Sequence, residues 1–456
     1  MARELPKKRR RWRLPALSQK RFHAFNHCGF GWVRKKSMRK DFVAKTLIIL
    51  VALVVLSCPA LAKDSPASPF TDDANSQSKA QTAAQRSVQG HADNMEPLKE
   101  LPVPSYLHGY DALYRENPRQ AALKWFRDAK FGLFVHYALG SFATEGEGRD
   151  PAHPITRSRF KELTAKTPEA WRALSKRFTA ENFDADFITD LALQAEMGYV
   201  NFTTAHKGGL YMFDTKYSEY TSLNTPCKRD LVAELAEACR KKGLGLFLYY
   251  NPDLVIGIGT FDMVFGQLRE LLTQYGPIAG IWLDPIGTFY ENPEKYPVDE
   301  IYTHIRSLQP QCLVSWKQGA NGNEDFAAPE GLMHPKGGAY GEKIWAMNKG
   351  KPGEICTVMQ TAPPAWLYIE GNHSINADQV MMLLADAFAQ KANLLLNINP
   401  RPDGSVPQEQ VAALREAGER IRKTGFPSPA LLDRSIRKSW QSRVKLGKRS
   451  SLKEPR

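Results

Sequence analysis

The chain is poor in cysteine and carries none of it in a ligand pattern. Six cysteines occur in 456 residues, without a CxxC pair or a His/Cys cluster, which argues against a structural zinc site. Cys28 and Cys58 fall near the amino end; Cys227, Cys239, Cys312 and Cys356 are scattered, as expected of buried hydrophobes rather than a disulfide framework, although one bridge would suit an oxidising compartment. No repeat of fixed period is present, and no carboxyl-terminal β-sandwich pattern. The first strand pattern is not followed by the Gly-rich phosphate turn of a dinucleotide-binding sheet. Apolar residues make up 43%, aromatic residues 10% and charged residues 24%, which excludes collagen, a coiled coil and wholesale disorder.

Acidic residues are also scarce, but only at the ends. The net charge of +14 would suggest a nucleic-acid partner if it were spread over the chain. Residues 1–62 hold 15 Lys/Arg against 2 acidic residues, and residues 434–456 hold 9 against 1. The remainder holds 38 basic and 45 acidic residues, a net of −7. The globular part is therefore acidic, and no nucleic-acid partner is expected of it.

Long apolar runs are missing too. Residues 46–56 (TLIILVALVVL) form a run of 11, too short to span a bilayer comfortably. Arg39 and Lys40 precede it and Ala60-Leu61-Ala62 follows it, the layout of a secretory signal peptide. Met38 opens this module, so the expectation is a true start at Met38, export to the periplasm or beyond, and no stable membrane span after processing. An uncleaved anchor with a basic cytoplasmic stretch is the alternative, and Leu56-Ser57-Cys58 is a poor lipidation site. Residues 63–100 are polar, Ser/Ala/Gln-rich and aperiodic, which predicts a flexible linker. Residues 434–456 read as a basic solvated tail, leaving 101–433 as the domain.

Within that domain seven apolar runs alternate with helical patterns. The strand candidates are FGLFVHYAL from Phe131, GYVNFTTA from Gly198, GLGLFLYYN from Gly243, IAGIWLDP from Ile278, CLVSWKQ from Cys312, ICTVMQ from Ile355 and NLLLNINP from Asn393. Between them, stretches such as RDLVAELAEACRKKG and FDMVFGQLRELLTQYG place apolar residues three and four apart. Such alternation predicts parallel βαβ units. Seven units fit an α/β fold of the (β/α)8 (TIM-like) barrel type with one degenerate strand; a doubly wound sheet is the alternative. A barrel gathers its active site at the carboxyl ends of its strands. Those ends read His136-Tyr137, His206-Lys207, Tyr249-Tyr250-Asn251, Trp282-Leu283-Asp284 and Trp316-Lys317. Carboxylate, imidazole, hydroxyl and aromatic groups converging on one cleft suit carbohydrate, with rings for its apolar faces and hydrogen bonds for its hydroxyls.

The blocks KFGLFVHYALGS from Lys130, NFTTAHKGGLYMFDTKYSEYTS from Asn201, YGPIAGIWLD from Tyr275 and ANLLLNINPRPDGSVPQEQVAALREAGERI from Ala392 resemble, in order, the alpha-L-fucosidases of glycoside hydrolase family 29. The resemblance covers about residues 110–425. It implies a retaining glycosidase releasing fucose from glycans through a covalent glycosyl-enzyme, with Asp284 as nucleophile and a second carboxyl as acid/base. Three glutamates compete for the second role: Glu330 (AAPEG), favoured for its place after the fifth strand; Glu354 (PGEICT), which matches a family glutamate; and Glu324 (GNED). The resemblance assigns His136 and His206 to sugar hydroxyls and Tyr250 to the neighbourhood of the nucleophile, although strand alternation lets only one of Tyr249 and Tyr250 face the barrel. Trp282 or Trp316 would pack against the C5 methyl.

The chain also departs from the family pattern. It reads His206-Lys207-Gly208-Gly209 where His-His-Asp-Gly is usual, and Lys317 where an Arg commonly stands; an ammonium is not a guanidinium fork. A Glu-Trp-Tyr segment expected after the first strand is replaced by GEGRDPAHPITRSRF. Lys207 and Lys317 are therefore counted with the substrate-binding residues, and altered specificity or a non-hydrolytic glycan-binding role on a degenerate barrel is the alternative. No metal or organic cofactor is implied.

Overall fold

A computed structural model describes residues 102–147, 155–252, 261–284, 287–335, 337–361 and 365–431. The expected leader, linker and basic tail lie outside the described residues. All seven strand patterns form strands: β1 Phe131–Val135, β2 Tyr199–Thr203, β3 Gly245–Tyr250, β4 Gly280–Leu283, β5 Leu313–Trp316, β6 Gly353–Val358 and β7 Ala392–Ile398. They form one parallel sheet in the order β5-β4-β3-β2-β1-β7-β6. Except for β5 and β6, neighbours in chain order are neighbours in space, and β7 pairs back onto β1, the topology of a (β/α)8-type barrel rather than a doubly wound sheet.

The degenerate eighth position is occupied by residues 325–331, between β5 and β6. The Asp325 amide donates to Val314 O at 2.7 Å on the β5 side. On the β6 side Ala327 N donates to Pro352 O at 2.9 Å, Glu354 N to Ala327 O at 2.8 Å, and Cys356 N to Pro329 O at 3.2 Å. Pro329 has no N–H to give to a ladder, and Gly331 turns away with φ +74°. The Asp325 carboxylate, fully buried, ties the segment down: it accepts from Val314 N at 2.8 Å, Arg119 Nε at 2.5 Å and Arg306 Nη2 at 3.2 Å.

Helices cover the outside: α1 Asp111–Glu116, α2 Pro118–Ala129, α3 Arg157–Thr164, α4 Pro168–Ser175, α5 Ala185–Gln194, α6 Leu231–Lys242, α7 Phe261–Thr273, α8 Gly287–Glu291, α9 Val298–Leu308, α10 Gly338–Met347, α11 Ala377–Ala389 and α12 Gln408–Thr424. Their boundaries follow local chemistry. The Asn376 side chain caps α11 in a reciprocal capping box with Gln379, and Gly243, left-handed at φ 69°, ends α6 where a Cβ would be strained. Helix α2 has a separate role. Pro118 starts it, Asn117 caps it, and its Trp125 and Phe126 enter the amino-terminal end of the barrel. The Phe126 ring lies 4.6 Å from Phe326 and 5.7 Å from both Tyr199 and Phe247. The interior is thereby packed below and left for chemistry above.

Candidate active site

Period-two alternation decides which strand residues enter the barrel. On β4 these are Gly280, Trp282 and, one step beyond the strand, Asp284; on β5 they are Leu313, Ser315 and Lys317. The ladder continues past both strand ends, with Asp284 N donating to Tyr250 O at 3.1 Å and Lys317 N to Leu283 O at 2.9 Å. This backbone pairing fixes the two charged side chains side by side at the mouth.

Lys317 joins two carboxylates. Its Nζ stands 2.5 Å from Glu330 Oε1 and 3.5 Å from Asp284 Oδ1, so those two oxygens are no more than about 6 Å apart. Asp284 also accepts a hydrogen bond from the Tyr249 hydroxyl at 2.9 Å. Burial raises the Asp284 carboxyl above its ordinary range, opposed by the Lys317 charge and the Tyr249 bond, while Glu330 adds to the rise. Burial alone would lower the Lys317 ammonium, but Asp284 and Glu330 outweigh it and the net shift is upward. The Lys317 ammonium thus sits between two carboxyl groups in a site only partly open to water.

Two imidazoles complete one side. His136, 3% exposed, pairs through Nδ1 with Asn397 Oδ1 at 2.6 Å. Its ring lies 5.0 Å from His206, 5.7 Å from Tyr249 and 4.9 Å from Trp366. Burial takes the His206 ring down to about 3, with Lys207 and Lys317 adding to the effect. His136 is likewise lowered well below its ordinary value, first by burial and then by His206. Both rings are neutral at physiological pH.

Several sequence expectations are corrected. Tyr250 does not face the site: its hydroxyl donates to Gln267 Oε1 of α7 at 2.7 Å, and alternation gives Tyr249 the inward position. Glu354 lies inside the barrel, below the mouth, with its oxygens taken by the Tyr199 hydroxyl at 2.6 Å and Trp282 Nε1 at 3.0 Å. Burial lifts its carboxyl to about 7, and each of its oxygens already accepts from a fixed buried donor. Glu324 folds the loop after β5, accepting from the amides of Ala320, Asn321 and Gly322, from the Tyr302 hydroxyl and from Asn348 Nδ2. Of the three glutamates, Glu330 alone reaches the Asp284 cluster. Trp282 is 2% exposed and stacks on Tyr249 at 5.8 Å. Trp316 points out of the barrel onto Phe289 and Tyr296. Neither indole offers a face to a ligand. Lys207 is exposed beside His206, and its carbonyl accepts from Gly140 N at 3.3 Å.

The alpha-L-fucosidase profile matches residues 108–425. The chain belongs to the alpha-L-fucosidase family. Among curated relatives it is 25% identical over 333 residues to a putative alpha-L-fucosidase of Caenorhabditis elegans, covering 66% of this chain and 65% of that one. To putative alpha-L-fucosidase 1 of rice (Oryza sativa subsp. japonica) it is 26% identical over 363 residues, covering 72% and 60%. The chain thus spans somewhat under two thirds of the length of these relatives. Among solved structures, alpha-L-fucosidase isoenzyme 1 from Paenibacillus thiaminolyticus is similar with a TM-score of 0.52 and 27% identity, over 68% of this chain and 77% of that one. The unliganded alpha-L-fucosidase AlfC from Lactobacillus casei gives 0.51 and 25%, over 66% and 98%.

Two residues of this alpha-L-fucosidase-family site escaped sequence reading. Trp366, partly exposed, follows β6 at the mouth, its ring between His136 and Phe134 (5.9 Å). Asn397 faces inward on β7 from the run NLLLNINP. A polar residue in so apolar a strand is a usable signal, because a buried amide must be partnered. Among the described residues no cluster of three or more His, Cys, Asp or Glu is arranged to hold a metal, and no helix is long and apolar enough to cross a membrane.

Proposed function

We propose that the protein is an exported retaining glycoside hydrolase acting on α-L-fucosides, with Asp284 as nucleophile and Glu330 as acid/base. The observation that carries this reading is the shared Lys317 contact. Carboxyl groups about 5–5.5 Å apart serve double displacement, whereas inverting enzymes need about 6.5–9.5 Å to admit a water. An upper limit near 6 Å for the Asp284 and Glu330 oxygens supports the retaining geometry. The relatives' names supply the sugar, and the targeting pattern around residues 46–56 supplies the export.

In the first step an Asp284 oxygen attacks the anomeric carbon as its bond to the leaving oxygen breaks, and Glu330 gives that oxygen a proton. In the second, Glu330 takes a proton from water as the water oxygen attacks the anomeric carbon and releases Asp284. Tyr249 and Lys317 hold the attacking carboxylate in place, which makes its geometry part of the folded state. The site carries two carboxylates and one ammonium, so one proton, the one Glu330 delivers, brings it to neutrality. His136, His206 and Lys207 line the sugar's polar side, and Trp366 offers the apolar face expected beside the C5 methyl.

The test is hydrolysis of an aryl α-L-fucoside by the full chain and by Asp284→Ala. We expect turnover to fall roughly 10³-fold or more in the variant and to return with azide, which attacks the anomeric carbon in place of the missing carboxylate. Turnover by neither protein would overturn the fucoside reading and favour a glycan-binding role or another glycoside.

A further inference from the structure

The orientation of one buried amide fixes the hydrogen-bonding character of an imidazole. Asn397 Nδ2 lies 2.8 Å from the backbone oxygen of Trp366. A carbonyl oxygen can only accept, so the nitrogen of the amide must face it, and Oδ1 must face His136. The same carbonyl accepts from Asn399 Nδ2 at 2.7 Å. Asn399 is itself held by Gln410 of α12, whose Nε2 donates to Asn399 Oδ1 at 3.0 Å while its Oε1 accepts from Asn399 N at 3.0 Å. Two chains of donors therefore converge on the Trp366 carbonyl, one from α12 through Asn399 and one from the site through Asn397, and reversing the Asn397 amide would set its oxygen against that carbonyl, two acceptors face to face. With Asn397 and His136 themselves buried, such a pair of facing acceptors is costly.

We infer that Asn397 is a positioning residue that locks His136 in the Nδ1–H tautomer, leaving Nε2 a bare acceptor for a substrate hydroxyl. Oδ1 at 2.6 Å from His136 Nδ1 can only accept, so Nδ1 must carry the proton. The surroundings keep the ring from gaining a second one: the groups facing it are the rings of His206, Tyr249, Phe134 and Trp366, with the Lys317 charge nearby. A neutral ring with Nδ1 protonated can take a hydrogen bond at Nε2 and cannot give one. The hydroxyl it meets must then donate, and the ring discriminates against a substituent that cannot, such as fluorine or an ether oxygen. This goes beyond the fucoside reading and rests on it only for the identity of the sugar.

The test reads the ring directly. The full chain, labelled with 15N-histidine, is examined at neutral pH, with the His136 signals assigned by their loss in His136→Phe. The expected spectrum has a protonated Nδ1 and a bare Nε2; a protonated Nε2 or an imidazolium overturns the inference. Adding L-fucose should move the Nε2 resonance far more than the Nδ1 resonance. A spectrum with the expected tautomer that ignores L-fucose would count against the fucoside reading alone. Asn397→Leu, checked for folding by its melting curve, should give a tautomer mixture and a loss of roughly 100-fold in kcat/KM. Asn397→Asp should instead favour the imidazolium, moving the acid limb of the kcat/KM profile to higher pH. An unchanged limb together with a single unchanged tautomer in Asn397→Leu would assign the amide to packing only and refute its positioning role.

Discussion

Replacing Lys317 by Met would leave Asp284 and Glu330 facing each other without their shared cation. The Asp284 carboxyl, already raised by burial, would rise further, because the opposite charge now lowering it is gone. The nucleophile would then be protonated over a wider acid range, so the acid limb of kcat/KM should shift to higher pH; a limb that stays in place would mean the ammonium does not act on Asp284. Tyr249→Phe removes the other support and should lower kcat by roughly 10-fold or more with the fold intact, whereas Tyr250→Phe, on the helix side, should cost stability and leave kcat near the parent's. Lys207→Ala, at the exposed edge of the sugar side, should raise KM and spare kcat. Initial rates over a range of aryl fucoside concentrations check all three. The place of Asp284 at the barrel mouth was legible in sequence because it ends the β4 pattern, while the role expected of it came from the family resemblance. The choice between Tyr249 and Tyr250 was not, since adjacent identical residues give alternation nothing to act on until the register with Trp282 and Thr203 is known.

The elements were read more securely than their ends. Seven apolar runs became seven strands because each is buried on both faces and flanked by an amphipathic helix, a pattern local enough to see. Helices α1 to α4, α8 and α10 were not foreseen. The face of α2 that carries Trp125 and Phe126 packs into the barrel end instead of against the outer wall, so its role depends on closure of the sheet, which no local window contains. Truncating Phe126→Ala should cost about 3–5 kcal/mol, measured by denaturant unfolding, and more than truncating a partly exposed apolar residue such as Leu123. The segment 325–331 went unread as a strand for a related reason. Its Pro and Gly are poor strand residues, and its pairing is supplied by Val314, Pro352 and Cys356, which are remote in sequence. The glutamates could not be ranked beyond Glu330's place after β5, since what separates Glu330 from Glu324 and Glu354 is the set of donors around each.

At the scale of the whole molecule the buried Glu354 ties stability to pH. Its carboxyl sits near 7 in the folded state against an ordinary 4.5. The folded chain therefore binds a proton that the unfolded chain has released between those values. The stabilisation is complete below about 4.5 and is lost as pH rises through 7, a change on the order of 3 kcal/mol. Glu354→Gln should flatten that dependence: the amide oxygen can accept from Trp282 and its nitrogen can donate to the Tyr199 hydroxyl, which is able to accept. Melting temperatures of both proteins across pH 4.5–7.5 check it, and parallel curves would refute it.

The irregular eighth position has a further consequence. Seven positions of the ring are staves joined to one another by parallel ladders, and the eighth is a latch, fastened to β5 by one backbone bond, the Ser315 hydroxyl on Phe326 O and the Asp325 carboxylate. Phe326, Ala328 and Glu330 alternate along it, so the group assigned to proton transfer rides on the latch while the group assigned to attack is set in a stave. The two carboxyls of one reaction thus differ in how firmly they are mounted. Loosening the latch would move Glu330 without moving Asp284, which lets the distance between them adjust to a larger leaving group while the bond-forming carboxylate keeps its aim.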